Sequence, residues 1–162
     1  MAPHVTAIKA LRRIALPAIL GDMPSVFTRI IAGELPGRFV WKDEHCVAFL
    51  TINPIRPGHV LVVTRDEIAH WIDLPRGLAE HLMGVSQTIA RAVAVAWRPA
   101  RVGLMIAGLE VPHVHLHVLP IDELDDLSFA KADPNPAPEA LDEAARRIRE
   151  ALRAAGCPHV AG

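Results

Sequence analysis

His113-Val114-His115-Leu116-His117-Val118-Leu119 is the stretch on which the reading of this chain turns. An imidazole stands at every second position, with an aliphatic side chain between each pair. A β-strand sends successive side chains to opposite faces. The segment therefore predicts a strand with Val114, Leu116 and Val118 facing a core and three imidazoles in a row on the other face.

The flanking sequence predicts the rest of a sheet. Pro57-Gly58 marks a turn, and His59-Val60-Leu61-Val62-Val63 reads as a strand with a fourth histidine at its entrance. Phe39 to Trp41 and Cys46 to Leu50 are short apolar runs split by Lys42-Asp43-Glu44, which predicts a hairpin. Val102 to Ala107 completes a set of five strands. Ser25 is suited to cap a short helix that ends at Gly33. Leu78, Leu82, Val85, Ile89, Val93 and Ala96 fall on one helical stripe over residues 77–97, and Pro99 stops it. Leu141, Ala144, Ala145, Ile148 and Leu152 mark a last amphipathic helix, with acids early and arginines mostly late, as the helix dipole favours. Runs of strands with separate helices predict an α+β domain around a mainly antiparallel sheet.

Composition sets the limits. At 162 residues the chain is one domain with room for a real core. With 51% hydrophobic and 22% charged residues it is no disordered chain. Seventeen basic against eighteen acidic residues give a net charge of −1, so a general binder of nucleic-acid backbones is excluded. No apolar run approaches the ~18 residues of a membrane span. Cys46 and Cys157 stand far apart with no metal or redox spacing, which points to a reducing, cytoplasmic setting. Residues 1–24 carry Lys9, Arg12 and Arg13 against Asp22; they read as an extension outside the domain, disordered or preceding a true start at Met23. Residues 25–120 form the domain core. Residues 121–162, an acidic, proline-rich loop and then the last helix, are expected to pack on the same domain.

A row of imidazoles has definite chemical uses. Neutral imidazole is a nucleophile near pH 7, a neighbouring imidazole moves protons at the same pH, and shared positive charge favours phosphate. The row also suits a metal. His59 is a candidate to fix the tautomer of a partner ring. The other histidines, His4, His45, His70, His81 and His159, belong to no constellation in the sequence.

The segment His113 to Leu119 matches the signature of the histidine triad (HIT) family. Pro57-Gly58-His59-Val60-Leu61-Val62-Val63 resembles the family's upstream Pro-Gly-His strand, and residues 25–36 resemble its opening helix. The resemblance runs from about Ser25 to Pro120. It implies a five-stranded antiparallel sheet with a long helix and a C-terminal helix, commonly paired into a homodimer with a continuous sheet. It also implies cleavage or transfer of nucleotides at the α-phosphorus, with a purine nucleotide or nucleotidyl conjugate as ligand, no cofactor, and no nucleic-acid or membrane partner. His115 would be the nucleophile and form a nucleotidyl-imidazole. His117 would contact the phosphate and shuttle protons, and His113 and His59 would orient the site. Phe27, Phe49 and Ile52 would help wall the base pocket.

This chain departs from the pattern at several positions. Many bacterial members open with Cys-x-x-Cys and carry a later histidine that together hold a structural zinc. Ser25, Thr28 and Glu67 occupy those places, so no structural metal is expected. Thr51 stands where an acid or Asn usually holds the ribose, and it offers a single hydroxyl. Leu109 and Glu110 replace an amide and a hydroxyl before the triad. A carboxylate at Glu110 repels a phosphate but suits a cationic leaving group. The expectation is a nucleotide hydrolase or transferase of the phosphoramidase kind. Its rivals are a nucleotide-binding regulatory module without turnover and a metal-dependent hydrolase built on the histidine row.

Overall fold

A computed structural model describes residues 23–162. Most of the expected N-terminal extension lies outside the described residues. Helix α1 (Val26–Ile31) is followed by strands β1 (Phe39–Lys42), β2 (Cys46–Leu50) and β3 (Val60–Thr64). The long helix α2 (Arg76–Trp97), strands β4 (Arg101–Met105) and β5 (His115–Ile121) and helix α3 (Pro138–Ala154) complete the chain. The five strands form one antiparallel sheet in the order β1-β2-β3-β5-β4, so the architecture is α+β as expected.

The valine-rich strands β2 and β3 are buried at every position, because both faces of the sheet are covered. Val60 and Val62 of β3 face the helices with Leu116 and Val118 of β5. There they meet Leu82, Ile89 and Val93 of α2 and Ile148 and Leu152 of α3. Leu61 and Val63 face the other way and join Phe27, Val47 and Phe49. In register they lie beside His117 and His115 respectively. One period-two pattern thus builds the core and the imidazole face together.

Helix ends follow local chemistry. The Ser25 hydroxyl accepts from the Thr28 N–H to cap α1. Arg98 takes a left-handed conformation after α2, and Pro99 blocks continuation. Pro138 opens α3, where its missing N–H costs nothing.

Two details differ from expectation. Strand β5 begins at His115, because Pro112 is the middle residue of a tight turn in which the His113 N–H donates to the Val111 carbonyl. His81 also has a partner: its Nε2 lies 2.9 Å from Asp43 Oδ2. That carboxylate also accepts from Trp41 Nε1 and from the backbone N–H groups of His45 and Cys46. Burial pushes the Asp43 carboxyl up, but these donors outweigh it and hold the group well below the usual carboxylate range. The β1–β2 turn is thereby tied to α2, and the His45 ring stands edge-on to His81. Cys46 is buried beside Asp43; burial and that charge push its thiol far up, and it and Cys157 are unpaired thiols.

The chain's last residues close one edge of the sheet. Trp41 bridges Val160, the Lys42 N–H donates to the His159 carbonyl, and the Ala161 N–H donates to the Val40 carbonyl. Strand β4 forms the opposite edge. No helix among the described residues is long and apolar enough to cross a membrane.

Candidate active site

Two turns and one strand place the four histidines. Gly58, at φ +91°, makes the bend into β3. A Cβ there would also meet the Trp97 ring at 2.8 Å, so only glycine fits. The bend seats His59, which is 1% exposed, under the site. Its Nδ1 accepts from the Ile55 N–H, so the proton of the neutral ring sits on Nε2 and is directed at His117 Nδ1, 3.0 Å away. His117 must then carry its own proton on Nε2.

His115 is fixed from the other side. Its Nδ1 lies 2.7 Å from the His113 carbonyl oxygen, to which it donates. Its Nε2 is therefore left with a free lone pair. His115 and His117 stand edge to face, 4.9 Å between ring centroids, and Phe27 packs on His115 at 4.8 Å. Both rings reach the floor of a cleft that also holds Phe27, Phe49, Thr51, Ile52 and Glu110. The structure thus brings together every residue expected for the nucleotide pocket. Phe27 and Phe49 also belong to the core, whereas Ile52 is 68% exposed.

Burial shifts all four rings toward the neutral form. His59 is pushed down to about 3 by burial, reinforced by His117 and His115. His117 is pushed down to about 4 by burial and by His115. Burial also lowers His115, opposed by its bond to the His113 carbonyl and by the charge of Glu110.

His113 does not reach the cleft. It is fully buried, with Nε2 donating to the Thr64 carbonyl at 2.7 Å and Nδ1 accepting from the Ser25 hydroxyl at 2.6 Å. The Thr28 hydroxyl and the Ser25 N–H both bond Glu67 Oε2, at 2.5 and 2.9 Å. Ser25, Thr28, Glu67 and His113 therefore converge where the family resemblance places a zinc. The set does not fit that metal: two neutral hydroxyls replace the thiolates zinc prefers, and the four groups already satisfy one another.

Several residues at the site escaped the sequence reading. Asn53 and Arg38 border the cleft. Phe129 stands edge-on to His117, with centroids 5.1 Å apart. Asn53 lies next to residues already singled out, and its amide was a legible signal. Nothing local marks Phe129.

The chain matches the HIT domain family over residues 32–124 and belongs to that family. An uncharacterised HIT-like protein of Mycobacterium tuberculosis is 35% identical over 135 residues, covering 80% of this chain and 94% of the relative. The adenosine 5′-monophosphoramidase of Saccharomyces cerevisiae is 30% identical over 120 residues, covering 74% of this chain and 73% of the yeast enzyme. Among solved structures, a zinc-bound histidine triad protein from Mycobacterium smegmatis superposes with a TM-score of 0.71 at 30% identity. That match covers 84% of this chain and 98% of the other.

Proposed function

We propose that this protein hydrolyses the phosphorus–nitrogen bond of nucleoside 5′-phosphoramidates, with AMP as the nucleotide released. The observation that carries the reading is the free Nε2 of His115. With Nδ1–H committed to the His113 carbonyl, the ring has one available lone pair, and it faces the cleft. The phosphoramidase relative supports the substrate class.

In this reading His115 Nε2 attacks the α-phosphorus. The bond from phosphorus to the amine breaks, and its electron pair stays on the nitrogen. His117 donates its Nε2–H to that nitrogen in a hydrogen bond, and the amine leaves with one proton taken up from solvent, so that His117 stays neutral and keeps its Nδ1 bond from His59. Water then attacks the phosphorus, the phosphorus–Nε2 bond breaks with its electron pair returning to His115, and the proton that water loses passes to solvent as AMP is released. His59 is a positioning residue that keeps His117 Nε2 turned to the site. Phe27, Phe49 and Ile52 take the base, and Thr51 and Asn53 meet the ribose.

The homodimer suggested by the family resemblance would form through β4 and the exposed side of α2. Leu104, Ile106 and Met83 are exposed there, at 41%, 39% and 50%, beside a shallow groove along α2 and β4.

The test is AMP release from adenosine 5′-phosphoramidate by wild type and His115→Ala, with and without chelator. Turnover indifferent to chelator and lost in the variant supports the reading. Nucleotide binding without turnover in the wild type returns the protein to the regulatory module, and turnover abolished by chelator to the metal-dependent hydrolase.

A further inference from the structure

A second recess opens on the far side of His117. Leu109, Glu110 and Phe129 wall it, and the rings of His115 and His117 form its floor. It shares only Glu110 and the two rings with the nucleotide cleft. In the proposed reading the base and ribose occupy the other cleft.

The wall that carries Phe129 is a built one. The chain after β5 folds into two 3-10 turns, Leu124–Leu127 and Phe129–Lys131. Asp126 is 1% exposed and accepts from the backbone N–H groups of Asp122 and Glu123 and from Arg56 at 2.8 Å. A second arm of the same guanidinium takes Asp122 at 2.8 Å. Backbone and guanidinium donors hold the Asp126 carboxyl down to about 2. The Asp133 N–H donates to the Pro54 carbonyl. Pro54 and Arg56 belong to the loop that seats His59. The arm is thus fastened to the same loop that orients His117, and Phe129 stands in a fixed relation to both rings.

We propose that this recess receives the departing amine, and that Phe129 and Glu110 select amines bearing an apolar body and a second, cationic group. The inference rests on the phosphoramidase reading. A leaving nitrogen must lie within reach of the His117 Nε2 proton, and the recess begins at that ring. Phe129 is 49% exposed and Leu109 94% exposed, so each has an apolar face open to a ligand. Glu110 sits at the boundary with the phosphate position. Its charge disfavours a phosphate anion at that point and favours an ammonium just beyond it. The step adds no reagent: the His115–phosphorus bond forms, the phosphorus–nitrogen bond breaks, and the nitrogen, held by the His117 Nε2–H, takes its proton from solvent.

The experiment compares kcat/KM for three AMP phosphoramidates, those of ammonia, phenethylamine and 4-(aminomethyl)benzylamine. Wild type is expected to prefer phenethylamine over ammonia, and the diamine over phenethylamine, by about tenfold at each step. Phe129→Ala is expected to reduce the first ratio about tenfold, and Phe129→Leu to restore most of it. Glu110→Gln is expected to abolish the second ratio. Melting temperatures of the variants monitor the fold. Equal turnover of all three substrates by wild type overturns the inference alone, and so does a first ratio unchanged in Phe129→Ala. Turnover of none overturns the phosphoramidase reading and the inference with it.

Discussion

His59 Nε2 lies 3.0 Å from His117 Nδ1, and this one contact sets the proton positions of both rings. Because the Ile55 N–H occupies His59 Nδ1, the chain of donors runs one way, from backbone to His59 to His117 to the cleft. Replacing His59 by Gln keeps a donor in the position, whereas Ala leaves His117 free to flip. His59→Ala is expected to lower kcat by one to two orders of magnitude with little change in KM, and His59→Gln to recover most of it. Equal losses in both variants would point to a packing role for the ring.

Acid should weaken the fold through the same pair. His59 and His117 titrate near 3 and 4 when folded and near 6.5 when unfolded. Between those values the unfolded chain binds protons that the folded chain refuses, so stability rises with pH across the window and is complete above about 6.5. Each ring contributes at most ~1.4 kcal/mol per pH unit. Unfolding free energies from urea titrations at pH 5 and 7.5 are expected to differ by on the order of 4 kcal/mol, taking both rings together. In His59→Gln the difference shrinks; an identical pH dependence in variant and wild type would refute the assignment.

The activity profile follows the direction of the His115 shift. Burial disfavours its cation, so the free lone pair on Nε2 persists to lower pH than an ordinary histidine allows. The acid limb of kcat/KM is expected below 6.5. A limb at or above 6.5 would mean that some other group governs the attack.

Ser25, Thr28 and Glu67 fasten α1 to His113 by hydrogen bonds. Thermal stability is therefore expected to be indifferent to strong chelators. Glu67→Ala removes the acceptor of two bonds at an exposed position and should cost about 1 kcal/mol. A large drop in melting temperature on chelation of the wild type would show that a metal does this work.

Leu104 and Met83 test the assembly. Leu104→Arg places a charge on the exposed side of β4 without touching the histidines. Sedimentation is expected to show a dimer for wild type and a monomer for the variant. An unchanged mass would exclude this face.

The sheet, its helices and most of the cleft were legible because each rests on a local period. Alternation along 113–119 and in the strand after Gly58 puts apolar and imidazole side chains on opposite faces whatever lies elsewhere in the chain. His113 keeps to that alternation, edge-on to Phe27 as His115 is, but its bonds to the Ser25 hydroxyl and the Thr64 carbonyl hold it under α1 and out of the cleft, which the period alone does not reveal. The bond between His81 and Asp43 spans 38 residues, and the grip of Arg56 on Asp126 spans 70. Neither leaves a periodic trace in the sequence. Phe129 was illegible for that reason: its place beside His117 depends on ion pairs made by other residues.

The seal formed by Val160 on Trp41 limits how far this sheet can grow. With β1 already covered by the chain's own tail, strand-to-strand addition has a single open side, at β4. If two copies joined there, they would present only covered edges outward, and growth would stop at a pair rather than run on into a fibre. Shortening the chain by its last few residues would take away that stop, and open-ended polymerisation is the failure to look for in such a truncation.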